Sequence, residues 1–119
     1  MPDNSISLIN KNSIKDFENK TSTKIEFERF SANIYISGLK AWSERKLLGK
    51  IIKINNMNFL ITEEIPRCSA TNLKPRTFNS NMNLPNLLKK TYDHINMGVF
   101  LIPLNDGSIN SNDEIIIDD

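Results

Sequence analysis

The sequence predicts an α+β fold that is mainly β, a barrel-like sheet of short strands with two or three short helices. Three observations favour this class. Short apolar or alternating segments, bounded by Asn, Gly and Pro, recur along the chain. Only two segments show helical spacing, and they do not alternate with strands as a doubly wound β-α-β fold requires. The 119 residues suffice for a single domain over 1–119, with a core from about residue 5 to 118.

The first elements predicted are a strand and a short helix. Residues 5–9 alternate between apolar and polar positions, as a half-buried strand does. Residues 14–20 have apolar positions on one helical face. Ser13 and Asp16 have the spacing of a capping box, so we expect the helix to start at Ser13.

Strand patterns dominate the middle of the chain. Alternation predicts strands over 33–37, 49–54 and 57–62. The pair at 55–56 is Asn-Asn, which tolerates positive φ and suits a tight hairpin turn. Residues 63–83 contain two prolines and no periodicity, so an ordered loop is expected there.

The last part of the chain predicts a helix and two more strands. Pro85 suits the first turn of a helix. An apolar strand is expected over 98–104, then a turn over 105–107 and a closing strand over 114–117. The helical face is formed by Leu84, Leu87, Leu88 and Tyr92.

Composition excludes several classes of protein. The 15 basic and 14 acidic residues give a net charge of +1, which is not the basic footprint of a nucleic-acid-binding domain. The apolar runs are too short to span a bilayer, and the first residues lack a signal-peptide pattern. One cysteine excludes an internal disulfide. We therefore expect a cytoplasmic protein without nucleic-acid or membrane partners.

The residues best suited to chemistry surround the single cysteine. Cys68 directly follows Arg67, and a guanidinium beside a thiolate stabilises its charge. Thr71 places a hydroxyl in the same turn. The alternative is that Cys68 is a small buried apolar residue, the commoner fate of a lone cysteine.

A second group of candidates precedes the strand predicted over 33–37. Arg29 suits an anionic group, and Asn33 suits the amide-like edge of a ring. The alternative is a solvated arginine followed by an asparagine that enters a strand. His94 lies near the end of a predicted helix, where a surface role is favoured over catalysis. The chain has no Walker A loop, G-x-G-x-x-G or G-x-S-x-G motif.

Taken in order, several segments resemble the MOSC domain, a family named for the C-terminal part of molybdenum cofactor sulfurase. Residues 29–38 resemble its R-F-R-x-N-I-x-(V/I)-x-G segment, and residues 67–71 resemble its central R-C-x-x-T. The similarity runs through nearly the whole chain. Its other pieces are Trp42 with Glu44 (W-x-E), residues 49–54, Pro75, residues 98–100 (G-V-Y) and residues 107–114.

The resemblance implies a β-rich, barrel-like fold and an association with the molybdenum cofactor. In relatives the cysteine of R-C-x-x-T ligates molybdenum or carries sulfur as a persulfide. Cys68 would accordingly be the catalytic residue and the metal ligand. Arg29 and Asn33 would hold the phosphate and pterin of the cofactor, and Arg67 and Thr71 would frame the cysteine. Molybdenum-dependent redox chemistry and sulfur transfer both remain open as activities.

Some residues depart from the family pattern. Pro66 replaces the usual Ser before R-C, Phe78 replaces the Gly of P-E-T-G, and Asn112 replaces the Gly of the last turn. Proteins of this subgroup have an additional N-terminal barrel half, so we expect a chain truncated at its N-terminus. Expected partners are the pterin cofactor and a cysteine desulfurase or a separately encoded N-terminal half.

Two other functions stay open. The chain is alternatively an inactive or split MOSC fragment that acts as a non-enzymatic binding partner. A small redox-sensing thiol protein is a third hypothesis, which requires a reactive Cys68 without a cofactor.

Overall fold

A computed structural model of the chain describes residues 5–107 and the backbone of residues 115–118. The strands are β1 (Ile6–Asn10), β2 (Ile34–Ile36), β3 (Ile51–Ile54), β4 (Met57–Pro66), β5 (Asn96–Pro103) and β6 (Ile115–Asp118). The α-helices are α1 (Lys11–Thr21) and α2 (Leu84–Tyr92). Short 3-10 helices cover Phe27–Phe30, Ser43–Leu47 and Ser69–Asn72.

The six strands form one curled, mixed sheet in the order β2-β1-β5-β4-β3-β6. β1 pairs in parallel with β2, and the other neighbours are antiparallel. The β3–β4 hairpin turns at Asn55, whose φ is 55°. The predicted class, α+β and mainly β, is confirmed. No helix in residues 5–107 is long and apolar enough to cross a membrane.

The sheet separates two apolar clusters because successive strand residues point to opposite faces. Leu8 belongs to the first cluster and Ile9 to the second. Four residues on one face of the β3–β4 hairpin all lie in the first cluster. These residues are Ile52, Ile54, Phe59 and Ile61.

Helix α1 begins earlier than predicted, and the expected capping box is wrong. The helix starts at Lys11, and its N-cap is Asn10, whose side-chain oxygen accepts a hydrogen bond from the Asn12 N–H at 3.0 Å. Ser13 is buried and donates its hydroxyl to the carboxylate of Glu44 instead. The last residue of β1 thus serves as the first cap of the helix.

Strand β4 also exceeds its prediction, since residues 63–66 belong to it. Glu63 pairs with Phe100, and Glu64 with Val99 of β5. Two register shifts interrupt this part of the ladder, which explains why its side chains show no simple alternation. The predicted loop therefore starts only at residue 67, and it contains a 3-10 helix.

The C-terminal elements follow their predictions closely. Asn83 caps α2 by accepting from the Asn86 N–H, with Pro85 in the first turn. Strand β5 starts two residues early, at Asn96. Asn105 fixes the end of β5, because its side-chain oxygen accepts from the Asn58 N–H at 2.6 Å. The departure at residue 112 lies outside the described residues.

Gly98 of β5 allows β1 to approach β5 closely. Its φ is +87°, and an added Cβ would lie 2.7 Å from the Leu8 carbonyl oxygen and 2.6 Å from Ile9 Cδ1. It also interrupts the alternation of β5, since Met97 and Val99 belong to different clusters. Glycine suits this position because it adopts a positive φ without strain and has no Cβ to clash with β1.

We expect Gly98→Ala to lower the free energy of unfolding by about 2–4 kcal/mol, through backbone strain and a clash with β1. Gly49→Ala is the matched control, because Gly49 has φ +80° but open space around its Cβ position. That variant should lose about 1 kcal/mol from strain alone. Urea denaturation measures both, and equal losses would show that the close approach of β1 is unimportant.

Candidate functional site

The cysteine turn, residues 68–71, follows the end of β4 and presents the thiol to solvent. Cys68 is exposed and is not part of a disulfide. It is the N-cap of the 3-10 helix Ser69–Asn72 and has an extended backbone, with φ −114°. The alternative, that Cys68 is a buried apolar residue, is therefore wrong. An exposed thiol at a turn is accessible to a sulfur donor or a metal.

Thr71 closes the cysteine turn from within. It is 3% exposed, and its hydroxyl donates to the Cys68 carbonyl at 2.7 Å. The Thr71 N–H donates to the same carbonyl at 3.1 Å. The hydroxyl thus frames the backbone of the cysteine rather than its sulfur.

Arg67 turns inward and joins three segments. Its Nε and Nη2 donate to the Met97 carbonyl at 3.0 and 2.7 Å, and its Nη1 donates to the Phe30 carbonyl at 3.0 Å. Its backbone N–H donates to the Ile95 carbonyl at 2.8 Å. Burial, which disfavours the charged form, lowers the pKa of Arg67 to about 10. Arg67, the residue before Cys68, is therefore anchored to the start of β5.

Arg29 lies beneath the cysteine turn, with its side chain fully buried. Its Nη1 donates to the carbonyls of Thr71, Asn72 and Leu73, at 3.3, 3.1 and 3.0 Å. These carbonyls end the 3-10 helix and have no partners within it. Arg29 thus supports the end of the turn through its backbone carbonyls.

The two remaining groups of the Arg29 guanidinium are also bound. Its Nη2 donates to Asn81 Oδ1 at 2.7 Å, and its Nε donates to Glu26 Oε1 at 2.7 Å. Burial, the largest single effect, would raise the pKa of Glu26, but the hydrogen bond from Arg29, a backbone hydrogen bond and the charges of Arg29 and Lys24 together hold that pKa below its ordinary value. Glu26 thus supplies the negative charge that the buried guanidinium requires.

Asn33 lies at the start of β2 and binds the edge of β1. Its side-chain oxygen accepts from the Ser7 N–H at 2.8 Å and from the Ser7 hydroxyl at 3.0 Å. The structure thus brings Cys68, Arg67, Thr71 and Arg29 together. Among the contacts of residues 5–107, none joins Asn33 to this group.

The fit of a molybdenum cofactor to these side chains is uneven. A thiolate is a soft ligand and suits molybdenum. Arg29, which the resemblance assigns to the cofactor, and Arg67 beside the cysteine both donate to protein carbonyls, however, so they would reach a phosphate only if those bonds broke. Within the described ranges, no group of three or more His, Cys, Asp or Glu side chains could hold a metal ion. The thiol fits the group, and the two guanidiniums as placed do not.

Two polar residues that support the site were missed by the sequence analysis, Glu26 and Asn81. Glu26 stands three residues before Arg29, a spacing that pairs side chains in a helical turn. That spacing was a usable signal. Asn81 lies in a polar stretch with many asparagines, and nothing in the sequence marks it.

Trp42 and Glu44 form a separate buried network around the start of α1. Glu44 is 1% exposed and accepts from the Asn10 amide at 3.1 Å and the Ser13 hydroxyl at 2.9 Å. The Ser13 oxygen in turn accepts from the Trp42 N–H at 2.8 Å. Burial raises the pKa of Glu44 above its ordinary value, although these hydrogen bonds oppose the shift.

His94 belongs to an aromatic cluster rather than to the cysteine turn. Its ring stacks on Tyr92 and meets Trp42 edge-on, with centroids 5.8 and 5.5 Å apart. Its Nδ1 accepts from the Asn96 N–H at 3.0 Å, and burial lowers the pKa of His94. Asp16 completes the cluster by accepting from the Trp42 indole and the Tyr92 hydroxyl.

The model of the family described as MOSC domain matches residues 1–116. The crystal structure of YiiM from Geobacillus stearothermophilus matches with a TM-score of 0.71 and 17% sequence identity. The match covers 96% of this chain and 54% of the YiiM chain, so this chain spans about half the length of that protein. No curated protein matched the chain.

We expect Glu44→Gln to flatten the dependence of stability on pH. A carboxyl whose pKa is raised by folding is stabilising when protonated, and that contribution is lost as pH rises from its ordinary pKa to the raised one. Glutamine keeps the shape without the charge, so the variant should gain stability relative to the wild type as the pH rises above the ordinary carboxyl pKa.

Denaturation at several pH values measures this difference. Glu63→Gln is the control, because Glu63 is exposed on β4 and should leave the pH profile unchanged. A parallel profile for wild type and Glu44→Gln would contradict the expectation.

Proposed function

Because the chain belongs to the MOSC domain family, we propose that the thiol of Cys68 is the functional group of this protein. In this proposal Cys68 carries sulfur as a persulfide, or it ligates the molybdenum of the molybdenum cofactor. The observation that carries the proposal is an exposed thiol on a stabilised turn. Thr71 stabilises the turn by a hydrogen bond to the Cys68 carbonyl, and Arg29 does so by hydrogen bonds to the carbonyls that end it. Loops fixed by a rigid scaffold commonly bear functional residues.

The persulfide form needs only a nucleophilic thiolate and a sulfur donor. The Cys68 thiolate attacks the outer sulfur of a donor persulfide, R–S–SH, and forms a new S–S bond. The donor's own S–S bond breaks, and its inner sulfur leaves as the thiolate R–S⁻, so no net oxidation occurs. The proposed donor is a protein of the cysteine desulfurase class. A reducing compartment such as the cytoplasm suits an exposed, unpaired thiol.

The cofactor form is limited by the fit described above. The Cys68 thiolate would hold the metal, and the bound cofactor would supply redox chemistry at molybdenum. The phosphate would need donors other than Arg29 and Arg67 in their present positions.

The second candidate is a non-enzymatic binding role beside a separately encoded N-terminal half. It is favoured by the coverage of the YiiM structure, of which this chain matches 54%. In that case the purified chain should bind the protein encoded by the adjacent upstream reading frame. Copurification of the two tests the idea, and it fails if the purified proteins do not associate.

We expect purified protein treated with glutathione persulfide to gain one sulfur atom on Cys68, detected by mass spectrometry after tagging. Cys68→Ser should gain none. Ser69→Ala, a change to the exposed neighbouring residue, should load like the wild type. Unmodified Cys68 after treatment would refute the carrier form.

Metal and pterin analysis tests the cofactor form separately. Protein from a cofactor-producing host should contain molybdenum and pterin, and Cys68→Ser should lose the metal. Equal contents in the two proteins would show that Cys68 is not the ligand. Absence of both from the wild type would refute the cofactor form.

A further inference from the structure

We infer that Arg29 is a positioning residue for Cys68, and that it acts through the backbone of the cysteine turn rather than by touching a ligand. The inference rests on the proposed function, since it concerns the reactivity of the same thiol. It differs from the role that the family resemblance implies, in which Arg29 holds a cofactor phosphate.

The first step is the arrangement of acceptors around the guanidinium. All three nitrogens of Arg29 donate to protein atoms, and the side chain has no exposed surface. Three of the acceptors are consecutive carbonyls at the end of the 3-10 helix. Such carbonyls need an outside donor, and Arg29 supplies it.

The second step concerns the far end of the same segment. Arg29 binds Leu73 at one end and Asn81 at the other. The Asn81 N–H also donates to the Asn72 carbonyl at 3.2 Å, and Leu73 pairs with Ser80. One buried side chain therefore closes the neck of the loop formed by residues 73–81, so the cysteine turn does not depend on the loop beyond it.

The third step connects the guanidinium to the cysteine through one residue. The Thr71 carbonyl accepts from Arg29, while the Thr71 hydroxyl and N–H both donate to the Cys68 carbonyl. Loss of the Arg29 contact removes the support from Thr71 and releases the turn. The thiolate would then lose its fixed direction of attack, on which transfer rates depend.

Lysine cannot replace this arginine. The acceptors lie around a planar fork, with Glu26 at Nε, the carbonyls at Nη1 and Asn81 at Nη2. An ammonium is a compact charge on a flexible stem and cannot reach all three directions together. Arg29→Lys therefore keeps the charge and removes the geometry.

The test measures the rate of Cys68 loading by glutathione persulfide at a temperature where every variant is folded. We expect Arg29→Lys to load about tenfold more slowly than the wild type. Asn81→Ala, which removes one acceptor and leaves the charge pair, should slow loading less. Arg45→Lys is the control, because Arg45 pairs with Glu64 at an exposed site and should load at the wild-type rate.

A second pair of variants separates positioning from general loss of stability. Thr71→Val removes the hydroxyl that binds the Cys68 carbonyl and should slow loading, whereas Thr71→Ser should restore the wild-type rate. This pair also decides the question if Arg29→Lys does not fold. Wild-type loading rates in Asn81→Ala and Thr71→Val would overturn the inference and leave the proposed function intact.

The failure of the proposed function has a different signature. If the wild type takes up no sulfur, the carrier form fails, and iodoacetamide alkylation of Cys68 replaces loading as the measure. Slower alkylation and faster amide exchange at Thr71 in Arg29→Lys would still support positioning. Unchanged alkylation and exchange would overturn it.

Discussion

Two guanidinium groups near the cysteine turn are removed from water, Arg29 wholly and Arg67 in part, and a charge in such a place must find acceptors for its N–H groups. Arg67 finds them in the carbonyls of Phe30 and Met97, and Arg29 finds them at the end of the 3-10 helix. The bonds to Phe30 and from Arg29 join segments that no strand pairing connects, whereas the bonds to Met97 extend the pairing of β4 with β5. The position of the cysteine turn relative to the sheet therefore depends on polar contacts, while the sheet itself depends on apolar packing.

The division between the two kinds of contact explains how far the sequence could predict the structure. Strand faces such as Ile52 with Ile54 follow a period of two, which burial on one face produces directly. The end of β4 was missed because Glu63 and Glu64 are polar and their strand pairing carries register shifts. The start of α1 was misplaced because Asn10 serves both as the last strand residue and as the helix cap.

The candidate site was predictable only where its members are neighbours in the chain. Arg67, Cys68 and Thr71 stand within five residues, and their order suggested a functional turn. Three of the five acceptors of Arg29 are backbone carbonyls 42 to 44 residues away. Every residue has a backbone carbonyl, so no residue type in the sequence marks these acceptors. The distinction between an arginine that binds a ligand and one that supports a turn thus required the structure.

The closed neck at Leu73 and Asn81 has a consequence for how this protein can change over time or by engineering. The chain from 74 to 79 lies beyond the last contacts that hold the cysteine turn. Because lengthening a loop costs little when its ends are already joined, an inserted peptide or fluorescent tag should be tolerated there. The segment offers a site for lengthening or labelling the protein without displacing Cys68.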